Sequence, residues 1–208
     1  MDREFPGVPF ERFADDGVVH CVSEAQARQV LGALAQRFAE VGLGLHPDKT
    51  RIVYCKDDDR RGSYEHERFD FLGYTFRPRL SKNKFDKYFV NFTPAVSDSA
   101  KRRIGGAIRS WRIACRSDET LSELARMYNP HVQGWANYYG RFYKSMLYPV
   151  LRRINDHLVR WAMRKYKRLR RHYTRAVEWL ASVARREPRL FAHWRMGLLP
   201  DGWTMGAG

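Results

Sequence analysis

"RFADDGVVHC" (residues 12–21) sets two adjacent aspartates, Asp15 and Asp16, between two short apolar runs, "PFERFA" and "GVVHCV". The polar corner between apolar runs predicts a β-hairpin. Two roles are open to the aspartates. Asp is a favoured turn residue, and the pair taken alone reads as turn chemistry. Neighbouring carboxylates on a hairpin are also a means of holding divalent cations for phosphoryl or nucleotidyl transfer, since hard Mg²⁺ prefers oxygen ligands.

Outward from the hairpin, Ser23 can cap a helix running to about residue 42, with Val30, Leu31, Leu34, Phe38 and Val41 on one face. That face should cover a sheet. "RIVYC" (51–55), "RFDFLGYTF" (68–76) and "KYFVNFT" (87–93) are rich in aromatic and β-branched residues and predict strands. "KDDDRRGS" and "RLSKNKFD" read as solvated loops, Asp57, Asp58 and Asp59 included. From Pro94 the pattern turns helical. Ser97 or Asp98 can cap a helix carrying Ile104, Ile108, Trp111 and Cys115, where Gly105 and Gly106 weaken the helix or permit a close approach. Thr120 and Glu123 form a capping box for a helix expected to end at Asn129-Pro130. Beyond it Trp135, Tyr138, Tyr139, Phe142, Tyr143 and Met146 make an aromatic stripe expected to be mostly core. A last long helix from about Pro149 places Val150, Leu151, Ile154, Leu158, Trp161 and Leu169 at helical intervals. "AVEWLASVA" predicts one more helix before a Gly- and Trp-containing tail.

The chain has 208 residues and is 44% hydrophobic, enough for one or two cores. No apolar run is long enough to span a membrane and no secretory start is evident, so no membrane partner and a cytoplasmic location are expected. Cys21, Cys55 and Cys115 are odd in number, far apart and without a C-x-x-C, so neither a disulfide framework nor a zinc site is indicated and they are expected to be small buried hydrophobes. The net charge of +15 is one-sided. Residues 1–97 hold 15 Lys/Arg and 15 Asp/Glu; residues 98–208 hold 23 and 8. Such a half seeks a polyanion, because each neutralised phosphate releases condensed counterions. The last long helix carries Arg152, Arg153, Arg160, Arg164, Lys165, Lys167, Arg168, Arg170 and Arg171, with Asp156 as the sole acid between 150 and 171. A solvated face usually mixes charges, so this one predicts RNA binding.

The motifs taken jointly resemble a known family. "FADD" (13–16), "LHPDKT" (45–50) and "FDFLGYTF" (69–76), in that order, resemble the palm motifs of group II intron reverse transcriptases, and "NPHVQGWANYYGRFY" (129–143) resembles the same family's thumb and maturase signature. The resemblance implies an α+β chain: a partial antiparallel-sheet polymerase palm (1–93), an α-helical thumb and maturase-specific domain (94–171), and a helical tail (172–208). It implies that Asp15 and Asp16 are metal-binding catalytic carboxylates for two Mg²⁺ ions, and that Lys49 stands by the incoming triphosphate as a proton donor. Phe71, Leu72, Gly73 and Tyr74 would be the primer grip. The implied partners are group II intron RNA, a DNA target, and an RNA template-primer, in a mobile element whose RNA is spliced and retrohomed. Two departures stand out: Phe13 replaces the family's Tyr, and no carboxylate upstream of Asp15 matches the family's earlier palm aspartate, since Asp2, Glu4 and Glu11 lie in the short lead-in. The chain therefore reads as the C-terminal half of an RNA-directed DNA polymerase and maturase that needs a separate fingers and palm fragment. The alternatives are an RNA-binding splicing cofactor, or a truncated remnant without polymerase activity of its own.

Overall fold

The computed structural model describes residues 4–200, so Asp2 and the tail from 201 lie outside the described residues. The fold is α+β: small antiparallel sheets followed by helices. It divides into two units, residues up to Phe71 together with Phe76–Phe92, and Leu72–Thr75 together with the residues from Thr93 onward.

In the first unit β1 (Phe10–Phe13) and β2 (Asp16–Val19) pair antiparallel, Phe10 opposite Val19 and Phe13 opposite Asp16. The two-residue turn is Ala14-Asp15, and Ala14 takes the left-handed conformation (φ 52°) that such tight hairpins require. Helix α1 (Glu24–Glu40) starts where the sequence says it should: the Ser23 side chain accepts from the Gln26 N–H at 3.2 Å. Its apolar face is only partly covered. Val30 is buried, Leu31, Leu34 and Phe38 are half-buried, and Val41 is exposed. The strand expected at 51–55 does not form. The Tyr54 N–H goes to the His66 carbonyl at 2.8 Å and the Tyr54 ring lies 4.2 Å from that of Tyr64, so the segment is pinned to a loop instead of entering a ladder. Asp58 bonds to the backbone of Val90 through both its N–H and its carboxylate, and Asp57 closes on Arg60, as loop residues do.

The second sheet has the order β3 (Phe69–Phe71), β4 (Tyr74–Lys82), β5 (Tyr88–Val96). Phe76 stacks on Phe69 at 4.8 Å, a ring pair of the kind that stabilises sheets by up to about 1 kcal/mol.

In the second unit, buried Ser97 caps α2 (Asp98–Ser110), and the reciprocal Thr120–Glu123 box caps α3 (Leu121–Tyr139). Helix α3 does not stop at Pro130 as expected. Proline removes one helical hydrogen bond and crowds the preceding turn, a cost of about 3 kcal/mol. Apolar burial on both sides, at Tyr128 and Val132, offsets it, and so does Asn129, whose side chain donates to the Leu190 carbonyl and accepts from the Ala192 N–H, both at 2.8 Å.

Helix α4 (Tyr148–Lys165) is the centre of the core: Val150, Leu151, Ile154, Leu158 and Trp161 are buried against α2, the 3-10 turn Ile113–Cys115 and α5 (Tyr173–Arg186). Full burial of one such aliphatic side chain contributes about 1.5–3 kcal/mol. The helix ends at Lys165, short of the expected 171. Tyr166 turns extended and sets its ring 4.9 Å from Trp179, and Leu169 is buried from a short 3-10 turn, Lys167–Leu169.

A short helix α6 (Ala192–Arg195) brings two buried rings onto Asn155 of α4. His193 Nε2 and Trp194 Nε1 both share the Asn155 Oδ1 acceptor, at 2.7 and 2.9 Å, and Asn155 Nδ2 donates to the Leu198 carbonyl at 2.9 Å. Among the cysteines, Cys21 and Cys55 are half-buried, whereas Cys115 is exposed, contrary to expectation. Among the described residues no helix is long and apolar enough to cross a membrane.

Candidate functional site

The hairpin carries Asp15 on its turn and Asp16 at the start of β2, both exposed. Across it, His20 and Glu11 pair at 2.5 Å, so the neighbouring acid is already engaged. The chemistry of the aspartates suits Mg²⁺, but their number does not: no group of three or more His, Cys, Asp or Glu capable of holding a metal occurs among the described residues. The described residues alone do not make a two-metal site. Lys49 is exposed on a turn where the Lys49 and Thr50 N–H groups both return to the His46 carbonyl.

The Leu72-Gly73 turn between β3 and β4 is built with more hardware. Both residues have positive φ, 50° and 79°, as a two-residue hairpin of opposite hand to ordinary turns demands. Leucine is strained in that region, and three bonds hold it there. The Tyr138 hydroxyl donates to the Leu72 carbonyl at 2.9 Å, the Ser97 N–H donates to the Gly73 carbonyl at 2.9 Å, and the Tyr74 hydroxyl donates to the Tyr138 carbonyl. A Cβ at Gly73 would sit 2.8 Å from the Tyr139 hydroxyl oxygen, so the close approach requires glycine. The Tyr74 ring is surrounded by Tyr138, Tyr139 and Phe142 at 5.3–5.6 Å, and burial pushes the Tyr74 and Tyr139 hydroxyls above the usual tyrosine range. The aromatic stripe thus divides: Trp135, Tyr139 and Met146 pack against the core as expected, whereas Tyr138, 47% exposed, and Phe142, 51% exposed, form the outer side of a clamp on Tyr74. Sequence periodicity missed this role, although the adjacent Tyr138-Tyr139 pair, which cannot share one helix face, hinted at it. Phe71 closes β3, half-buried.

The nine cations proposed from sequence separate into two groups. Arg164 donates to the Ala114 carbonyl at 3.2 Å and to Cys115 Sγ at 3.1 Å; Lys165 reaches the carbonyls of Ser117 and Glu119 at 3.0 and 2.6 Å. These two fasten the end of α4 to the 113–119 segment. Arg153, Arg160, Lys167, Arg168, Arg170 and Arg171 are exposed and Arg152 half-buried. None of the nine pairs with a carboxylate among the described residues. Unpaired cations on α4 and on the turn that follows it make a surface suited to a polyanion.

Residues 1–76 match the family described as reverse transcriptase (RNA-dependent DNA polymerase), and residues 101–179 match that described as group II intron, maturase-specific domain. The chain belongs to the group II intron reverse transcriptase and maturase family. The hairpin, Lys49 and the Leu72-Gly73 turn fall in the reverse transcriptase match, while most of α2, all of α3 and α4 and the first half of α5 fall in the maturase match. Polymerases of this family generally use Mg²⁺, and the two regions imply nucleic acid, intron RNA included, as the partner. No curated protein matches the chain.

Proposed function

We propose that this chain is the primer-holding and intron-RNA-binding part of a group II intron reverse transcriptase and maturase, working in the cytoplasm. The observation that carries the reading is the order of the two family regions combined with a net positive charge that lies wholly in residues 98–208. On this reading Asp15 and Asp16 supply two metal-binding carboxylates, and a fingers and palm region supplies the third. Lys49 faces the triphosphate, Phe71 to Tyr74 steady the primer end, and the cations of α4 and the turn after it hold intron RNA for splicing and retrohoming into DNA. The domain limits that go with it are 1–93 for the palm part, 94–171 for thumb and maturase, and 172–208 for the tail, of which 201–208 lie outside the described residues.

The test is reconstitution. The purified chain is mixed with a separately expressed fingers and palm fragment, and Mg²⁺-dependent cDNA synthesis is measured on an RNA template-primer. Synthesis that Asp15→Ala or Asp16→Ala abolishes is the expected result; none with a folded chain and any such fragment defeats the polymerase part.

A second reading, a splicing cofactor without polymerase chemistry, is favoured by the lack of a three-residue metal cluster among the described residues. It predicts intron-RNA binding and splicing that the Asp15→Ala and Asp16→Ala changes leave intact, with no synthesis under any condition.

A further inference from the structure

Gly105 of α2 sits on a cleft that neither the palm motifs nor the 164–171 cations explain. Gly105, Ile108 and Arg109 of α2 face Arg153, Asp156, His157 and Arg160 of α4 across a cleft of about 280 Å³. The α4 residues fall at i, i+3, i+4 and i+7, one face of a helix. The close approach that Gly105 permits is of guanidinium groups. A Cβ at that position would stand 3.3 Å from Arg153 Nη1 and 3.6 Å from Arg109 Nη1. Two like charges from different helices therefore meet over one glycine, and neither has a carboxylate within ion-pair distance among the described residues.

Arg109, Arg153 and Arg160 against Asp156 leave the lining at a formal +2 with His157 neutral. Burial first, and then Arg160, hold the His157 ring below the usual histidine range, while Asp156 opposes them. An anion satisfies such a site, and planar guanidinium forks match the oxygens of a phosphate. The volume is at or below the small end of ligand pockets, which suits a phosphate with its sugar better than a whole cofactor. Asp156 sets a further condition, because a carboxylate repels a free dianion yet accepts a hydrogen bond from a sugar hydroxyl. The 2′-hydroxyl is the group by which a protein separates RNA from DNA.

We propose that this cleft seats one ribonucleotide of a bound RNA, its phosphodiester held by Arg109, Arg153 and Arg160 and its 2′-hydroxyl by Asp156. The inference rests on the RNA-binding reading above and locates a contact within it that fixes RNA over DNA.

Binding of the full chain to a structured RNA and to a DNA of the same sequence is measured against salt, with circular dichroism confirming that each variant is folded. Arg109→Gln with Arg153→Gln should lower RNA affinity about tenfold or more and reduce the salt slope by about 2, one contact per lost cation. Asp156→Ala should diminish the preference for RNA over DNA several-fold, without weakening DNA binding. The quadruple change Lys167→Gln, Arg168→Gln, Arg170→Gln and Arg171→Gln should weaken both nucleic acids and leave that preference unchanged. A folded Arg109→Gln, Arg153→Gln variant with the parent's affinity and slope overturns the seat while RNA binding itself stands. Inorganic phosphate that displaces RNA from the parent but not from that variant, beyond its effect as salt, marks a free-anion site and overturns the ribonucleotide assignment. A salt-independent parent overturns the RNA-binding reading and this inference together.

Discussion

Acidification from about pH 7 to about pH 5 should destabilise the chain by about 2 kcal/mol through one residue, His193. Its ring is fully buried, and burial lowers its pKa to about 3. The reason is visible in its bonds. Asn155 Oδ1 is an acceptor, since Asn155 Nδ2 donates to Leu198, so His193 Nε2 must carry the hydrogen. That leaves Nδ1 with no partner among the described residues, and a second proton would have to go there, buried and unbonded. The unfolded chain takes up this proton near pH 6.5 while the folded chain does not until about pH 3. Between those values the unfolded state binds one proton more, and stability falls as pH falls, by about 1.4 kcal/mol per pH unit. From about 6.5 to 5 the loss is about 2 kcal/mol. Urea unfolding followed by far-UV circular dichroism at several pH values measures it, with His193→Gln as the control that cannot titrate. The variant will be less stable at every pH but should lose most of the slope; His157, also held toward its neutral form by burial, contributes the remainder with the same sign. The carboxylates held low by hydrogen bonds, Asp57 to Arg60 and Glu123 to Thr120, lose their contribution only below their ordinary range, beneath this window. Equal slopes in parent and variant would refute the reasoning.

Gly73→Ala should destabilise by about 1–3 kcal/mol in thermal unfolding, since it combines a positive φ with a clash on Tyr139, whereas Gly32→Ala in the open middle of α1 should stabilise by about 0.5–1 kcal/mol. Thr120→Ala removes a complete capping box and should cost about 1 kcal/mol by urea unfolding. Cys115 should alkylate with iodoacetamide faster at neutral pH than Cys21 or Cys55. The Arg164 hydrogen bond draws its thiol below the ordinary range, and burial raises the other two; Arg164→Ala should slow it.

Helix starts were legible in this chain because a cap is local: Ser23, Ser97 and the Thr120–Glu123 box each bond to backbone within three residues. Strand character at 69–71, 74–76 and 88–93 was legible because aromatic and β-branched residues pack on neighbours of the same sheet, but the Leu72-Gly73 turn inside "RFDFLGYTF" and the run of β4 to Lys82, through part of a stretch that read as loop, come from cross-strand pairing. "RIVYC" has the same composition and forms no strand, since a ladder needs a partner and Tyr54 found a loop carbonyl. Pro130 misled for a related reason: a proline's cost is local, but the Asn129 bonds and the burial that offset it come from residues 61 and 63 positions away and from the core. The order of the palm motifs, the charge imbalance between the halves and the glycine pair at 105–106 are properties of the chain written in one dimension, and so is membership of the family. Which cations are available is not. Packing of α4 against the 113–119 segment ties Arg164 and Lys165 to carbonyl oxygens, and packing of the same helix against α2 brings Arg153 to Arg109, a residue 44 positions earlier that no periodicity connects to it. Charge is fixed by residue type; whether that charge meets a carbonyl, a carboxylate or a phosphate is decided only when distant helices come together.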